Sequence, residues 1–251
     1  PESDAMPAGL LAVHQALLAG QAIPELSGEA LQETLRHCSG TLEEYRLARI
    51  AEWSQERYAL DKRFTRLTLL FDQGPDAQGP RWQARQTFDD LREVLAQTSE
   101  PALVLLGPPG CGKSTLLRRL ELDLAVDALR SGEAAPAPIS FFVPLNRHHA
   151  VRPGEPPPLP RQWLAHEWSQ RCRHLPPLDE LLDSGRLVLL LDAVNEIPHA
   201  DATGYANRVA LWRDFLVALP AGTRVVFSCR SLDYSALLST PEWPVPQLRI
   251  E

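Results

Sequence analysis

The chain has 251 residues, of which 44% are hydrophobic and 23% are charged, a composition typical of globular proteins in water. This length accommodates one α/β domain of ordinary size together with a smaller appendage. The formal net charge of −7 argues against a surface that tracks nucleic acid, which would carry a basic stripe. The apolar runs are too short to span a bilayer and no signal-peptide pattern opens the chain, so we expect a cytoplasmic location and no membrane partner.

The N-terminal part of the chain has the apolar spacing of short helices. A leucine-rich stripe over 10–18 ends at Gly20, a typical helix C-cap. A second helix fits Ser27 to His37, and a third opens at Thr41 with a capping-box acid three positions further on. These features predict a helical N-terminal region or linker over residues 1–62, with no residues that suggest catalysis.

The next segment contains β-formers and then a helical pattern. Residues 64–72 alternate partly with period two, which favours a strand. Two Gly-Pro pairs then indicate a loop. Over 82–97 the spacing of Phe88, Leu91 and Leu95 predicts one amphipathic helix that leads into the following apolar run.

Five apolar runs then suit strands of a parallel sheet that is covered on both faces. Because helical patterns separate the runs, we predict an α/β fold with a five-stranded parallel sheet flanked by helices, in a domain that spans 63–251. Ligands of such sheets bind at the carboxyl ends of the strands. The predicted strands are 102–106, 139–144, 187–191, 224–228 and 245–250, and the predicted helices after 160 are Arg161–Cys172, Leu178–Leu182 and Ala206–Leu219.

Two other features carry little functional signal. The cysteines lack metal-ligand or disulfide spacing, so we expect free thiols. A proline-rich loop over 146–160 is expected to be a stiff surface connection. His148 and His149 within it are adjacent and would point apart, which argues against a metal site.

The stretch Gly107–Thr115 matches the pattern G-x-x-x-x-G-K-[ST] and stands between a predicted strand and a helical pattern, as a phosphate-binding loop requires. In such a loop, backbone N–H groups and the N-terminus of the helix form an anion cradle. Of the 25 Lys and Arg residues in the chain, only Lys62 and Lys113 are lysines. A lysine in a chain that otherwise uses arginine indicates a specific need for a compact ammonium at position 113. We therefore predict a nucleoside triphosphate site in which Lys113 contacts the β- and γ-phosphates and Ser114 ligates Mg²⁺. The predicted binding residues are Gly107, Pro108, Pro109, Gly110, Cys111, Gly112, Lys113, Ser114 and Thr115.

Two acids follow the third apolar run. Asp192 ends that run and is placed to bind Mg²⁺ directly or through water. Glu196 is the best candidate for the general base that activates the attacking water. Three alternatives remain: Asn195 positions the water by hydrogen bonding, Glu196 is an exposed loop acid, or Asp192 is a solvated cap of its strand.

An arginine follows the fourth apolar run. Arg230 at that strand end would reach the γ-phosphate, distinguish ATP from ADP and stabilise the charge that develops in the transition state. The alternative is a structural salt bridge between Arg230 and Asp192 or Glu196.

Together these motifs resemble the NACHT family of P-loop NTPases. Residues 189–196 are similar to the NACHT version of the Walker B motif, in which a small residue follows the first Asp and acids recur three and four positions on. Residues 225–230 resemble the strand and arginine called sensor 1. The segment from Tyr45 to Trp82, around Arg57–Phe64, resembles the lead-in of bacterial NACHT proteins. With the phosphate loop in the expected order, the resemblance covers the chain from Tyr45 onward.

The resemblance implies a STAND-type signalling ATPase, a switch that is held with ADP, opened by a sensed ligand and then self-associates with ATP. An effector domain and a repeat sensor usually accompany such a domain, and bacterial members often act in defence. Asn195 replaces the usual first acid of the pair, which implies slow hydrolysis. The chain starts at Pro1 and stops at Glu251, before the helical and winged-helix parts of the family, so we expect a piece of a longer protein.

Other classes of phosphate-loop protein remain as alternatives. An AAA+-like motor acting on protein or nucleic acid has similar motifs, and steady turnover would separate it from a switch. A GTPase would need an N-K-x-D motif, which is missing, and a D-x-x-G motif, which Asn195 interrupts. A small-molecule kinase would need an arginine-rich lid, for which Arg171-Cys172-Arg173 is too short.

Overall fold

The structure is a computed structural model, which describes residues 6–37, 40–56, 67–72, 82–132, 137–150, 152, 155–234, 238–240 and 242–250, without the side chains of 69–72 and 82–85. The resemblance noted at Arg57–Phe64, the domain boundary expected at 62 and the Gly-Pro loop lie outside the described residues. So do Cys38 and part of the proline-rich loop.

Three short helices open the described chain, as the sequence predicted. They are α1 (Ala8–Leu18), α2 (Gly28–Arg36) and α3 (Leu42–Trp53). The Thr41 hydroxyl caps α3 by accepting from the Glu44 N–H at 3.2 Å. Buried leucines and Ile50 of these helices pack against Ala125 of a later helix, so the three helices are attached to the α/β part.

All seven strands in the described residues belong to one sheet of order β2-β1-β7-β3-β6-β5-β4. Strands β7, β3, β6, β5 and β4 are parallel to one another, and β1 is antiparallel to both β2 and β7. The strands are β1 (Leu67–Asp72), β2 (Trp82–Phe88), β3 (Ala102–Gly107), β4 (Ile139–Pro144), β5 (Leu187–Asp192), β6 (Arg224–Arg230) and β7 (Gln247–Ile250).

Two predictions need correction. The five predicted parallel strands are present, but the sheet has seven strands because an antiparallel pair extends it beside β7. The helix predicted over 82–97 is wrong in its first half, since 82–88 form β2 and only Leu91–Gln97 form helix α4. Phe88 and Leu91 lie at helical spacing, but Phe88 ends a strand. Asp90 then starts the helix by accepting from the Arg92 N–H at 2.9 Å.

Helices cover both faces of the sheet. Alternating residues of β3 enter two different buried clusters: Val104 and Leu106 pack on one face, Leu103 and Leu105 on the other. This two-sided burial explains the nearly continuous apolar runs of the central strands. The remaining helices are α5 (Lys113–Ser131), α6 (Pro160–Arg171), α7 (Leu178–Asp183) and α8 (Ala202–Val217), with single 3₁₀ turns at Leu145–Arg147 and Val194–Glu196.

His148 lies in the core. It is fully buried, its Nε2 lies 2.8 Å from the Pro158 carbonyl oxygen, and its ring packs against Trp163 and Trp212. Burial lowers the pKa of this histidine, which favours the neutral ring. Among the helices that the structure describes, none is long and apolar enough to cross a bilayer.

Candidate nucleotide site

The turn between β3 and α5 forms the predicted phosphate loop. Gly112 has a φ of 87°, in the left-handed region that favours glycine, and it precedes the first helical residue, Lys113. A Cβ on Gly107 would lie 2.6 Å from the Cys111 sulfur, so a larger residue at this position would displace the Cys111 side chain. No side chain caps α5, so the first N–H groups of the helix are left for a ligand at its positive end.

The Lys113 ammonium lies within the loop. It donates to the carbonyl oxygens of Gly107 at 2.9 Å and of Pro108 at 2.8 Å, and it is 3.6 Å from the Cys111 sulfur. These partners are neutral or weak acceptors, whereas phosphate oxygens would be charged ones. The ammonium is therefore beside the anion cradle and has no carboxylate partner among the described residues.

Asp192 stands at the end of β5 and is 6% exposed. Its Oδ1 accepts from the Ser114 hydroxyl at 3.0 Å and from the Ser228 hydroxyl at 2.5 Å. The Ser228 oxygen in turn accepts from the Ala193 N–H at 2.8 Å. Three elements, α5, β5 and β6, thus meet at one carboxylate.

The chain after Asp192 turns sharply. Ala193 has a φ of 63°, and it is the one residue other than glycine with a positive φ in the described part of the chain. A left-handed alanine costs about 1–2 kcal/mol. The turn leads directly into the 3₁₀ segment that carries Asn195 and Glu196, so both side chains return toward the phosphate loop.

Arg230 closes the other side of the site. It is the register partner of Gly107 in the parallel pair β3–β6, which places it beside the entrance of the phosphate loop. Its guanidinium lies 3.3 Å from a Glu196 carboxylate oxygen and 3.8 Å from Asp233. Its backbone N–H donates to the Asn195 side-chain oxygen at 3.1 Å.

A cavity of about 300 Å³ connects these groups. Of the predicted residues, it brings together Pro109, Gly110, Gly112, Lys113, Ser114, Thr115, Asp192, Glu196 and Arg230. The other lining residues are Ala193, Asn195 and Ser228. The predicted loop residues Gly107, Pro108 and Cys111 do not line the cavity.

The donors present fit a magnesium–triphosphate group. Uncapped N–H groups and an ammonium suit phosphate oxygens. The Ser114 hydroxyl and the Asp192 carboxylate are hydrogen-bonded to each other and are oxygen ligands of the kind that Mg²⁺ prefers. Mg²⁺ sites of this kind use one or two protein groups and complete their shell with phosphate and water.

The comparison with protein families matches the NACHT domain over residues 101–241, which is more than half of the chain. The chain belongs to the NACHT domain family. The matched residues contain the phosphate loop, the Asp192 turn and Arg230, and NACHT domains are nucleotide-binding NTPases.

Comparison with solved structures includes a Walker-type ATPase of Pyrococcus abyssi, with 17% sequence identity and a TM-score of 0.30. The alignment covers 55% of this chain and 42% of that ATPase, so this chain spans less than half of that protein's length. The comparison with curated proteins gave no match.

Sequence reasoning did not assign a role to Ser228. The sequence signal for Ser228 is a hydroxyl within the apolar run 225–229, in the strand next to the one that ends in Asp192. The neighbouring Cys229 is fully buried, and burial raises the pKa of its thiol to about 11, which makes it unsuited to thiolate chemistry.

Proposed function

We propose that this NACHT chain is an ATP-dependent signalling switch of the STAND type, which binds ATP or ADP with Mg²⁺ and hydrolyses ATP slowly. The observation that carries the proposal is the ion pair between Glu196 and Arg230 within the nucleotide cavity. These are the groups that we assign to water activation and to γ-phosphate detection.

The phosphate loop would bind and orient the nucleotide. Its glycine backbone and the start of α5 contact the phosphate chain, and Lys113 moves its donors from carbonyl oxygens to the β- and γ-phosphates. Ser114 and Asp192 would hold Mg²⁺, with Ser228 fixing the carboxylate. The ion, when bound, neutralises charge on the phosphate oxygens.

Glu196 is the proposed base, and the ion pair with Arg230 decides whether its carboxylate is available to water. The pair is 43% and 45% exposed, and a pair of this exposure contributes about 0–1 kcal/mol. An arginine contact with a phosphate contributes about 1.5–3 kcal/mol. A γ-phosphate should therefore draw Arg230 away from Glu196 and release the carboxylate to accept a proton from water.

Slow turnover is proposed because Asn195 is neutral. An amide orients water but does not accept its proton, so one carboxylate serves where the family usually has two. A slow reaction lets the nucleotide state persist long enough to act as a signal.

The wider role rests on the family. We propose that the ATP state favours self-association through the NTPase domain and that effector and sensor domains act with it in bacterial defence signalling in the cytoplasm. Residues 1–62 are proposed to be a helical N-terminal region, and the packing of the described helices α1–α3 with α5 supports an adaptor that moves with the ATPase.

The test is Arg230→Ala, with binding of ATP and of ADP measured by calorimetry in the presence of Mg²⁺. The variant loses the γ-phosphate contact in the ATP complex, but ATP binding no longer has to break the ion pair with Glu196. The net weakening of ATP binding is therefore about 1–2 kcal/mol. ATP affinity should therefore fall about 5- to 30-fold while ADP affinity changes less than about twofold. Arg152→Ala, at an exposed arginine outside the cavity, is the matched control.

Two further readouts complete this test. Protein purified without added nucleotide should release bound ADP or ATP on denaturation, and Lys113→Ala should abolish that retention. Equal losses of ATP and ADP affinity in Arg230→Ala would show that Arg230 does not detect the γ-phosphate and that its ion pair with Glu196 is a structural contact. Rapid, steady ATP hydrolysis that a protein or nucleic acid stimulates would contradict the switch and support a motor.

A further inference from the structure

A second cavity, of about 610 Å³, lies at the outer edge of strand β4, between α3, α5 and the end of α6. We call it the arginine cavity. It shares no lining residue with the nucleotide cavity. Six arginines line it: Arg36, Arg49, Arg118, Arg147, Arg171 and Arg173.

The charge of this cavity opposes that of the chain. The formal net charge of the whole chain is −7, yet the wall holds six guanidiniums and one carboxylate, that of Glu52. Three further acids contact lining residues. Glu121 accepts from the Trp53 indole N–H at 2.6 Å, Glu167 lies 3.9 Å from Arg147 and from Arg171, and Glu44 lies 3.5 Å from His37. Six arginines and His37 therefore face four carboxylates.

Several of these guanidiniums are held in place by aromatic rings. Arg118 lies 5.4 Å from the Trp53 ring centre and 5.0 Å from that of Phe142. Arg171 lies 5.2 Å from the Phe141 ring and donates to the Phe142 carbonyl oxygen at 2.9 Å. Cation–π packing of this kind fixes a guanidinium before a ligand arrives, which reduces the entropy cost of binding.

The rim of the cavity differs from its interior. Arg36, Arg147 and Arg173 are exposed, and Arg36 and Arg173 form no ion pair among the described residues. Arg49 is mostly buried against Glu52, and its Nε has no hydrogen-bond partner in the described part of the chain. The wall thus offers guanidinium donors that protein acceptors do not fully use.

We propose that the arginine cavity is a second anion-binding site, which takes a small ligand with two or more linked phosphate groups. Its volume lies within the range of about 300–1,000 Å³ that is usual for small-molecule sites. Arginine forks match phosphate oxygens in pairs and keep their charge at any physiological pH. The cavity is bounded by helices and the sheet edge, which favours a compact ligand over a long polymer.

The test uses inorganic pyrophosphate as the probe, with EDTA present, in a Lys113→Ala background that disables the phosphate loop. Calorimetry should show one site per chain. Arg147→Gln with Arg173→Gln should weaken binding at least about tenfold, because two charge-assisted contacts are lost. The matched control is Arg130→Gln with Arg152→Gln, two exposed arginines outside the arginine cavity, with the same change in charge and an expected change below about twofold.

The variants are checked by their melting temperatures, which should match that of the background because all four arginines are exposed. If the double variant does not fold, Arg36→Gln applies the same test at another rim position. The proposal would be overturned if the Lys113→Ala background itself did not bind pyrophosphate. Equal weakening of pyrophosphate binding in the test and control variants would also overturn it. So would tighter binding of a single-stranded oligonucleotide at the same arginines, which would assign the surface to nucleic acid.

Discussion

Ser228 is the residue whose role can be tested most directly, because its hydroxyl joins two strands at the nucleotide site. It donates to Asp192 Oδ1 and accepts from the Ala193 N–H. Ser228→Ala removes both contacts and changes the volume by one oxygen atom. The buried carboxylate then keeps one hydroxyl donor, from Ser114, and the strained Ala193 loses the acceptor of its N–H.

The cost follows from the two contacts. A hydrogen bond to a charged group contributes about 1.5–3 kcal/mol, and a neutral one about 0.5–1.5 kcal/mol. Since Ser228 is 1% exposed, water replaces neither contact without local opening. We expect a loss of about 2–4 kcal/mol in the free energy of unfolding. Binding of magnesium–ATP should weaken as well, because the Asp192 carboxylate is no longer held toward Ser114.

The assay is urea unfolding at pH 7 with EDTA and without nucleotide, so that bound ligand does not add stability. Ser140→Ala is the matched control, since Ser140 is also a buried strand serine and its hydroxyl forms no hydrogen bond among the described residues. A loss in Ser228→Ala below about 0.5 kcal/mol, or one equal to that of Ser140→Ala, would refute the assigned role.

Two other predictions concern residues outside the nucleotide site. Burial lowers the pKa of His148 below about 6.5, its value in the unfolded chain, so the unfolded state binds the proton first as the pH falls. The free energy of unfolding should therefore decline from about pH 6.5 downward. The variant His148→Gln should flatten this pH dependence, whereas His149→Gln, at an exposed histidine, should leave it unchanged. An unchanged pH dependence in His148→Gln would contradict the assignment. Tyr45→Phe removes a buried hydroxyl that donates to the Ser140 carbonyl oxygen at 2.8 Å. The free energy of unfolding, measured with urea, should fall by about 1–2 kcal/mol. An unchanged urea midpoint would show that this hydrogen bond does not stabilise the fold.

The central sheet was predictable because its strands are buried on both faces. Such strands read as apolar runs without reference to their partners, and the observed bounds of β3, β4, β5 and β6 lie close to the predicted ones. The phosphate loop was predictable for a related reason. Its conformation depends on glycines and a helix start that are all local in the chain, as Gly112 illustrates.

Of the antiparallel pair at the sheet edge, β1 falls within the strand predicted over 64–72, whereas β2 was predicted as helix. Strand β1 pairs with β7, so that Leu67 lies opposite Ile250, at the far end of the chain. The pairing of β1 with β2 also contains an irregularity, because Leu69 lies opposite Gln86 and Leu70 opposite Ala84, so the pairing of β2 skips one residue. Local spacing over 82–97 therefore favoured a helix, and the long-range pairing overrode it.

The two predictions for Arg230, phosphate sensor and salt-bridge partner, are compatible once the Asn195 contact is considered. Asn195 accepts from the Arg230 backbone N–H, so in the proposed switch this end of β6 would stay anchored if the guanidinium left Glu196. An aspartate at 195 would also accept that N–H, but it would add a second negative charge next to the Arg230 side chain. The guanidinium would then be held more strongly, and a γ-phosphate would have to overcome a larger attraction. In the proposed switch the neutral amide would therefore ease the exchange of Arg230 between carboxylate and phosphate, but it would not supply the second acid that faster hydrolysis uses.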